Sequence, residues 1–467
     1  MNSKYQYLLK NTGILALSNF SSKILIVFLV PLYTSILTTQ EYGVYDLVST
    51  TVQLLFPVLS CNILEALMRF LLDKNNSRTE VVTLSALYLT LGILIGIVVF
   101  EVIQYFNLPS ALSRYDAYIL VFYISYTIYQ FCIQLAKGLE KVRIIALASI
   151  VGTLSVIICN VLFLLVFNYG LSGYFMANIT GFVVPSLYYL IQIKPWKYIR
   201  FYFNRQLNRE MLTYCIPLIA TMVVWWVNSS SDKYIVTYIV GVSANGILSI
   251  AYKIPNIMNT LQSVFIQAWQ ISAIRESDKV DAIPFYQNMF NYCMAFMCVG
   301  GSFLICFAKN IAELLYAKDF FVAWKFVPLL IVSNVLNSAS GFIGPILNAK
   351  KDTVPMFVSA IVGAVSNIVL NIFLCKLFGI QGITIATMIS SFIIFVVRKK
   401  FLDKYFQISN RSIFIFMSWL ILILQSTLLI CEVPCWMIFA MLMLEIVLYR
   451  NELLIVVQRV LKKLAVV

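Results

Sequence analysis

The sequence predicts an all-α polytopic membrane protein of about fourteen transmembrane helices: two parallel six-helix bundles, then two further helices. Three observations predict it. The chain is 61% hydrophobic and only 12% charged. Its Lys and Arg residues fall on alternate sides of successive apolar runs. Its second half repeats residues of its first at a nearly constant offset.

Composition sets the class. A soluble domain averages about 45–50% apolar and about 25% charged residues. A surplus this large needs lipid to cover it. The formal charge is +14, from 34 Lys+Arg against 20 Asp+Glu. In a soluble chain that balance suggests nucleic acid. Here the basic residues lie mostly in short loops, where they set orientation and meet lipid headgroups, so no nucleic-acid partner is expected. There are ten cysteines and no histidine. Most cysteines sit inside apolar runs as small hydrophobes. Cys431 and Cys435 flank a short outer turn, where a disulfide is the alternative to free thiols. No Cys/His spacing fits a metal, so neither metal nor cofactor is expected. The missing His also removes the commonest general base, which argues against an enzyme. The first apolar run lacks a small-residue cleavage site and reads as a retained span.

Apolar runs fall at 13–37, 43–68, 80–105, 115–136, 143–167, 171–193, 211–240, 246–272, 283–308, 321–349, 354–378, 380–398, 412–430 and 433–449. Each crosses, or nearly crosses, roughly 30 Å of hydrocarbon at 1.5 Å per residue. With the N-terminus inside, 26 of the 34 basic residues lie on the cytoplasmic side. Four lie outside (Arg114, Lys309, Lys318 and Lys325) and four within spans (Lys23, Lys233, Lys253 and Lys376). That bias puts both termini in the cytoplasm and requires an even helix count.

The repeat divides the chain. Ile150, Val151, Gly152, Ser155 and Asn160 match Ile361, Val362, Gly363, Ser366 and Asn371. Gly170 and Gly173 match Gly379 and Gly382, and the turn ending in Gly43 resembles the turn ending in Gly246. The expected organisation is residues 1–200 as an N-terminal six-helix lobe and 201–400 as a C-terminal six-helix lobe. Residues 401–467 supply two extra helices and a cytoplasmic tail. Segment 194–210 is the basic linker. Six helices per repeat give both halves one orientation, with a substrate site expected between them near mid-membrane.

Intramembrane charges are the candidate site residues, because they are costly and usually face a cavity. Lys23 lies near mid-membrane beside Asn19, Ser21 and Ser22. Lys233 and Lys253 lie about 10 Å below the outer surface on neighbouring helices. Asp232 either neutralises Lys253 or joins both lysines in one buried network. Asp46 lies at the start of the second span. Glu65 lies deeper, with Arg69 at i+4 as its natural local partner. Arg69 and Arg275 end corresponding helices on the inside, where they either guide an anion or serve as ordinary positive-inside residues. Lys376 and Glu445 lie near helix ends and read as snorkelling. Trp225, Trp226 and Trp269 either stack sugars or pack. Paired lysines suit an anion, and a lipid-linked diphosphate fits because its tail can stay in the bilayer.

Three segments carry a resemblance. The first is Leu17-Ser-Asn-Phe-Ser-Ser-Lys23, with Val30-Pro-Leu-Tyr33 and Glu41-Tyr-Gly-Val-Tyr-Asp46. The second is Asp232-Lys-Tyr with Gly246-Ile-Leu-Ser-Ile-Ala-Tyr-Lys253-Ile-Pro, and the third is Leu314-Leu-Tyr-Ala-Lys-Asp-Phe-Phe321. Together they resemble the bacterial polysaccharide transporter family. These are O-antigen and capsule repeat-unit flippases of the multidrug/oligosaccharidyl-lipid/polysaccharide exporter superfamily. The resemblance implies flipping of an undecaprenyl-diphosphate-linked oligosaccharide across the bacterial cytoplasmic (inner) membrane by alternating access. Lys23, Lys233 and Lys253 are then the cavity cations. A proton or sodium gradient is the implied energy source, with Asp46, Glu65 and Asp232 as candidate proton carriers. A polymerase and a chain-length regulator of the same pathway are the implied partners. The alternatives are a multidrug or small-cation antiporter, which would prefer an acidic cavity, and a membrane glycan polymerase or glycosyltransferase, which would need a large outer loop.

Overall fold

In the computed structural model, residues 27–455 and 458 are described, except 74, 106–114, 201–202, 277–280, 351, 353 and 409–410. Among them the chain is helical and has no strand. Ten helices are long and apolar enough to cross a membrane, or eleven if one bent pair counts as a span. The chain is therefore a multi-pass α-helical membrane protein. Most of the first predicted run, 13–37, lies outside the described residues.

The chain divides into two compact units between Trp226 and Val227. The first unit holds α1 (Val30–Ile36), α2 (Thr39–Leu59), α3 (Ile63–Leu72), α4 (Arg78–Tyr105), α5 (Asp116–Gly138), α6 (Val142–Asn160) and α7 (Gly170–Ile193). It also holds the start of α8 (Arg205–Ile239), in which the division falls. Thr38 and Glu41 form a capping box at α2: the Glu41 amide donates to Thr38 Oγ1 at 3.2 Å and the Thr38 amide donates to Glu41 Oε2 at 2.9 Å. The predicted span 43–68 is bent by 61° between α2 and α3. Pro57 loosens the end of α2, and Cys61 and Asn62 turn the chain with φ of 51° and 50°. The linker rests on the start of α4: the Arg200 amide donates to Thr83 Oγ1 at 3.0 Å and Asn204 Nδ2 donates to Glu80 Oε2 at 2.7 Å.

The second unit holds the rest of α8, then α9 (Val242–Ala251), α10 (Pro255–Glu276), α11 (Ala282–Cys306), α12 (Ala308–Leu315) and α13 (Val327–Ala349). It ends with α14 (Val354–Phe378), α15 (Ile380–Leu402), α16 (Ser412–Ile430) and α17 (Cys435–Leu448). The predicted span 246–272 is not one helix. It breaks at Tyr252–Ile254, so α9 and α10 are separate. Pro255 has no amide hydrogen to continue the ladder.

The sequence repeat has a physical basis. Gly170 and Gly379 occupy matched turns with φ of 54° and 59°, a region that costs side-chain-bearing residues. Three residues on, a Cβ at Gly173 would lie 3.0 Å from the Phe163 carbonyl oxygen, and one at Gly382 only 2.0 Å from that of Leu374. Each helix pair closes on backbone and has no room for a side chain there. The matched Asn160 and Asn371 are both buried, and the Oδ1 of each lacks a hydrogen-bond partner among the described residues.

The last two helices attach through buried polar groups. Gln425 of α16 accepts from Ser302 Oγ of α11 at 2.7 Å and donates to the Ile438 carbonyl of α17 at 3.2 Å. Glu445 does not snorkel. It is fully buried in α17, where Ser418 of α16 donates to its Oε2 at 2.7 Å. Cys431 and Cys435 are free thiols.

Candidate functional site

The clearest polar constellation in the second unit surrounds the break between α9 and α10. A broken helix in a membrane exposes carbonyls that neighbouring groups must satisfy. Tyr316, after α12, donates its hydroxyl to the Ile250 carbonyl at 3.0 Å, and Asn334 of α13 donates Nδ2 to the Pro255 carbonyl at 2.9 Å. Both bonds are buried. In the break itself, the Tyr252 hydroxyl donates to Asp232 Oδ2 at 2.5 Å. The other oxygen, Oδ1, accepts from the Lys233 amide at 2.9 Å. Asp232 is 4% exposed, so its carboxylate is held by donors from α8 and the break together.

Two predicted cations lie beside this carboxylate in the chain. Lys233 follows Asp232 on α8 and is half-buried; Lys253 follows Tyr252 within the break and is also half-buried. Asp232, Lys233 and Lys253 therefore belong to one local arrangement. A polar ladder continues from it: Ser231 donates to Asn367 Oδ1 at 3.4 Å, Asn367 donates to Ser390 Oγ at 3.1 Å, and Asn371 donates to Asn367 Oδ1 at 2.9 Å. Of these, only Asn371 carried a sequence signal, through the repeat.

The other predicted residues are dispersed. Lys23 lies outside the described residues. Asp46 is half-buried on α2, close to Tyr42 and Tyr45 of an aromatic group in which Tyr45 meets Tyr174 at 4.5 Å between ring centres. Glu65 is not paired with Arg69. Its Oε1 accepts from Gln134 of α5 at 3.1 Å, while Arg69 is exposed at the end of α3. Arg275 is exposed near the end of α10, about 30 Å along the helix from Lys253. Trp269 is core: its indole donates to the Phe342 carbonyl at 2.9 Å and stacks on that ring at 4.2 Å. Trp226 donates to the Thr50 carbonyl at 3.0 Å, whereas Trp225 is 72% exposed. Sequence reasoning counted Arg398 only as an inner-side cation. It is half-buried on α15, where Nε donates to Ser359 Oγ at 2.8 Å and Nη1 to the Ser340 carbonyl at 3.0 Å.

A family profile described as "Polysaccharide biosynthesis protein" matches residues 8–270. No curated protein matches the sequence significantly. Among solved structures, the fold is similar to "Lipid II flippase MurJ, inward closed conformation", with TM-score 0.70 and 16% identity over 95% of this chain and 99% of that one. It is also similar to an inward-facing multidrug resistance MATE family transporter of the MOP superfamily, with TM-score 0.63 and 14% identity over 83% of this chain and 98% of that one. A MOP superfamily transporter from Pyrococcus furiosus, described as having a binding pocket of reverse polarity, matches with TM-score 0.54 and 17% identity over 84% of this chain and 93% of that one. These likenesses establish a fold that the chain shares with a flippase and with transporters.

Proposed function

Because the chain belongs to the polysaccharide biosynthesis protein family, we propose that it flips an undecaprenyl-diphosphate-linked oligosaccharide repeat unit from the inner to the outer leaflet of the bacterial cytoplasmic membrane. It is a transporter and not an enzyme, as are the flippase and multidrug transporters that share its fold. The flipping works by alternating access around a cationic cavity. Lys23, Lys233 and Lys253 hold the diphosphate, since an ammonium is an effective point charge for phosphate. Asp46, Glu65 and Asp232 carry the coupling charge. Arg69 and Arg275 draw the anionic headgroup to the cytoplasmic mouth. The chain crosses the membrane fourteen times with both termini inside. It is organised as repeats 1–200 and 201–400 with 401–467 appended, and it works beside a polymerase and a chain-length regulator.

The observation that carries this reading is a convergence. Asp232, Tyr252 and Tyr316 come from the two second-half segments that resemble polysaccharide transporters, and all meet at the helix break that contains Lys253. Discontinuous helices are where transporters of several folds place their substrate sites.

The test is complementation of a deletion strain. Lys23→Ala, Lys233→Ala and Lys253→Ala should each lower polymer export by about tenfold or more, as the loss of one charge-assisted contact implies. Each should do so at wild-type membrane levels. Full export in all three variants would sink the cationic-cavity reading.

A further inference from the structure

α10 exposes an unusual face. Asn256, Asn259, Ser263, Gln267 and Gln270 are all exposed. Their steps of three, four, four and three residues put them on one side of the helix, over about 21 Å. The opposite side is core, with Met258 at 4%, Trp269 at 2% and Ala273 at 0% exposure. Within the stripe, Asn259 Nδ2 donates to Asn256 Oδ1 at 3.1 Å and Ser263 Oγ donates to the Thr260 carbonyl at 2.8 Å. The side-chain amides of Gln267 and Gln270 make no hydrogen bond among the described residues.

Hydrocarbon cannot face such a surface, because unsatisfied amides in lipid are costly. No charge occurs between Lys253 and Arg275, so the stripe offers no countercharge to a diphosphate. Nor does the scaffold require it. At the 203-residue offset that relates Gly43 to Gly246, the first half has Gln53, Phe56, Ser60, Leu64 and Leu67. Of these, Phe56, Ser60, Leu64 and Leu67 are buried. Gln53 is the one exposed amide at these matched positions, so the row of exposed polar residues belongs to the second half.

We infer that this stripe binds the uncharged saccharide of the translocated substrate. The inference rests on the flippase reading above and adds which part of the substrate α10 reads. Sugar hydroxyls both donate and accept, and so do carboxamides, so each Asn or Gln can engage neighbouring hydroxyls at once. Neutral contacts are individually weak. Several in a row let a glycan bind firmly enough to enter and loosely enough to leave.

The test uses the full-length protein in nanodiscs with two probes: undecaprenyl diphosphate, and the same lipid carrying N-acetylglucosamine. The wild type should bind the sugar-bearing lipid about tenfold or more tightly than the bare lipid. The combined variant Asn259→Ala, Gln267→Ala, Gln270→Ala should lose that preference and keep wild-type affinity for the bare lipid. Alanine suits an exposed helix, so the bare-lipid affinity also reports that the variant is folded. Equal wild-type affinity for both lipids, or a preference that survives in the variant, overturns the saccharide stripe and leaves the flippase reading standing. Wild-type affinity for neither lipid overturns the flippase reading itself.

Discussion

The break between α9 and α10 depends on two donors that lie far away in sequence, and Asn334→Leu tests that dependence. Leucine keeps the approximate volume and removes the Nδ2 that donates to the Pro255 carbonyl at 2.9 Å. The bond is buried, so the carbonyl loses this donor without access to bulk water. An unsatisfied buried acceptor costs about 1–3 kcal/mol in soluble proteins. Hydrogen bonds between membrane helices average about 0.6 kcal/mol, with a maximum near 1.7 kcal/mol. The expected loss is therefore about 1–2 kcal/mol. Tyr316→Phe removes one of two donors to the Ile250 carbonyl, which keeps the Lys253 amide at 2.9 Å, and should cost less. Because both carbonyls border one break, the double variant should depart from additivity by about 0.5 kcal/mol or more. The assay is unfolding of the purified protein by increasing mole fraction of a denaturing detergent. Polymer export should fall in the same order, although neither residue is charged, because Lys253 sits in the break. Unchanged unfolding midpoints in both single variants would refute the reasoning. They would mean that Pro255 alone sets the break.

Two further predictions follow from the helix contacts. Gly382→Ala should displace the α14–α15 pair more than Gly173→Ala displaces its counterpart, because its Cβ would fall 2.0 Å rather than 3.0 Å from a backbone carbonyl. Membrane levels of Gly382→Ala should drop well below those of Gly173→Ala, with overpacking costs of about 1–3 kcal/mol or more; the reverse order would contradict the geometry. Gln425→Leu should loosen α16 and α17 by about 1–3 kcal/mol, through loss of its bonds to Ser302 and Ile438. Limited proteolysis should then cut near residues 403–411 sooner than in the wild type, and equal cutting rates would contradict it.

The class, many of the helices and the repeat were legible in the sequence because each rests on local composition or spacing. Predicted runs 354–378, 412–430 and 171–193 coincide with α14, α16 and α7 to within a residue at either end. What failed depended on distant partners. Pro255 lies inside the run 246–272, but whether a proline kinks or breaks a helix depends on the groups packed around it. Here Tyr316 and Asn334, 66 and 79 residues away, bond the Ile250 and Pro255 carbonyls on the two sides of the break. Glu65 and Arg69 have the spacing of a helix pair, yet Gln134 takes the carboxylate. Glu445 sits near a helix end, where a long side chain could reach the surface, but tertiary packing buries it and Ser418 binds it. The candidate site was partly visible. Asp232, Lys233 and Lys253 stand out as charges in apolar runs, whereas Tyr252 is uncharged and only the fold brings its hydroxyl to Asp232.

The comparison of the two halves separates scaffold from candidate function. What the halves share is close packing: Gly170 with Gly379 in turns, Gly173 with Gly382 against backbone, Asn160 with Asn371 in buried positions. These residues fix how consecutive helices meet, and a duplicated fold needs them twice. What the halves do not share is polar and exposed, or charged. The first half bends between α2 and α3 at Ser60–Asn62, with no lysine in the turn. The second half breaks at Tyr252–Ile254, eleven residues earlier relative to Gly246, with Lys253 in the gap and an amide stripe beyond it. A break and a stripe are costly in a membrane unless something polar uses them. Under the flippase reading, the lysine in the second-half break and the amide stripe beyond it make variants in α8–α10 the ones expected to change cargo without changing the fold.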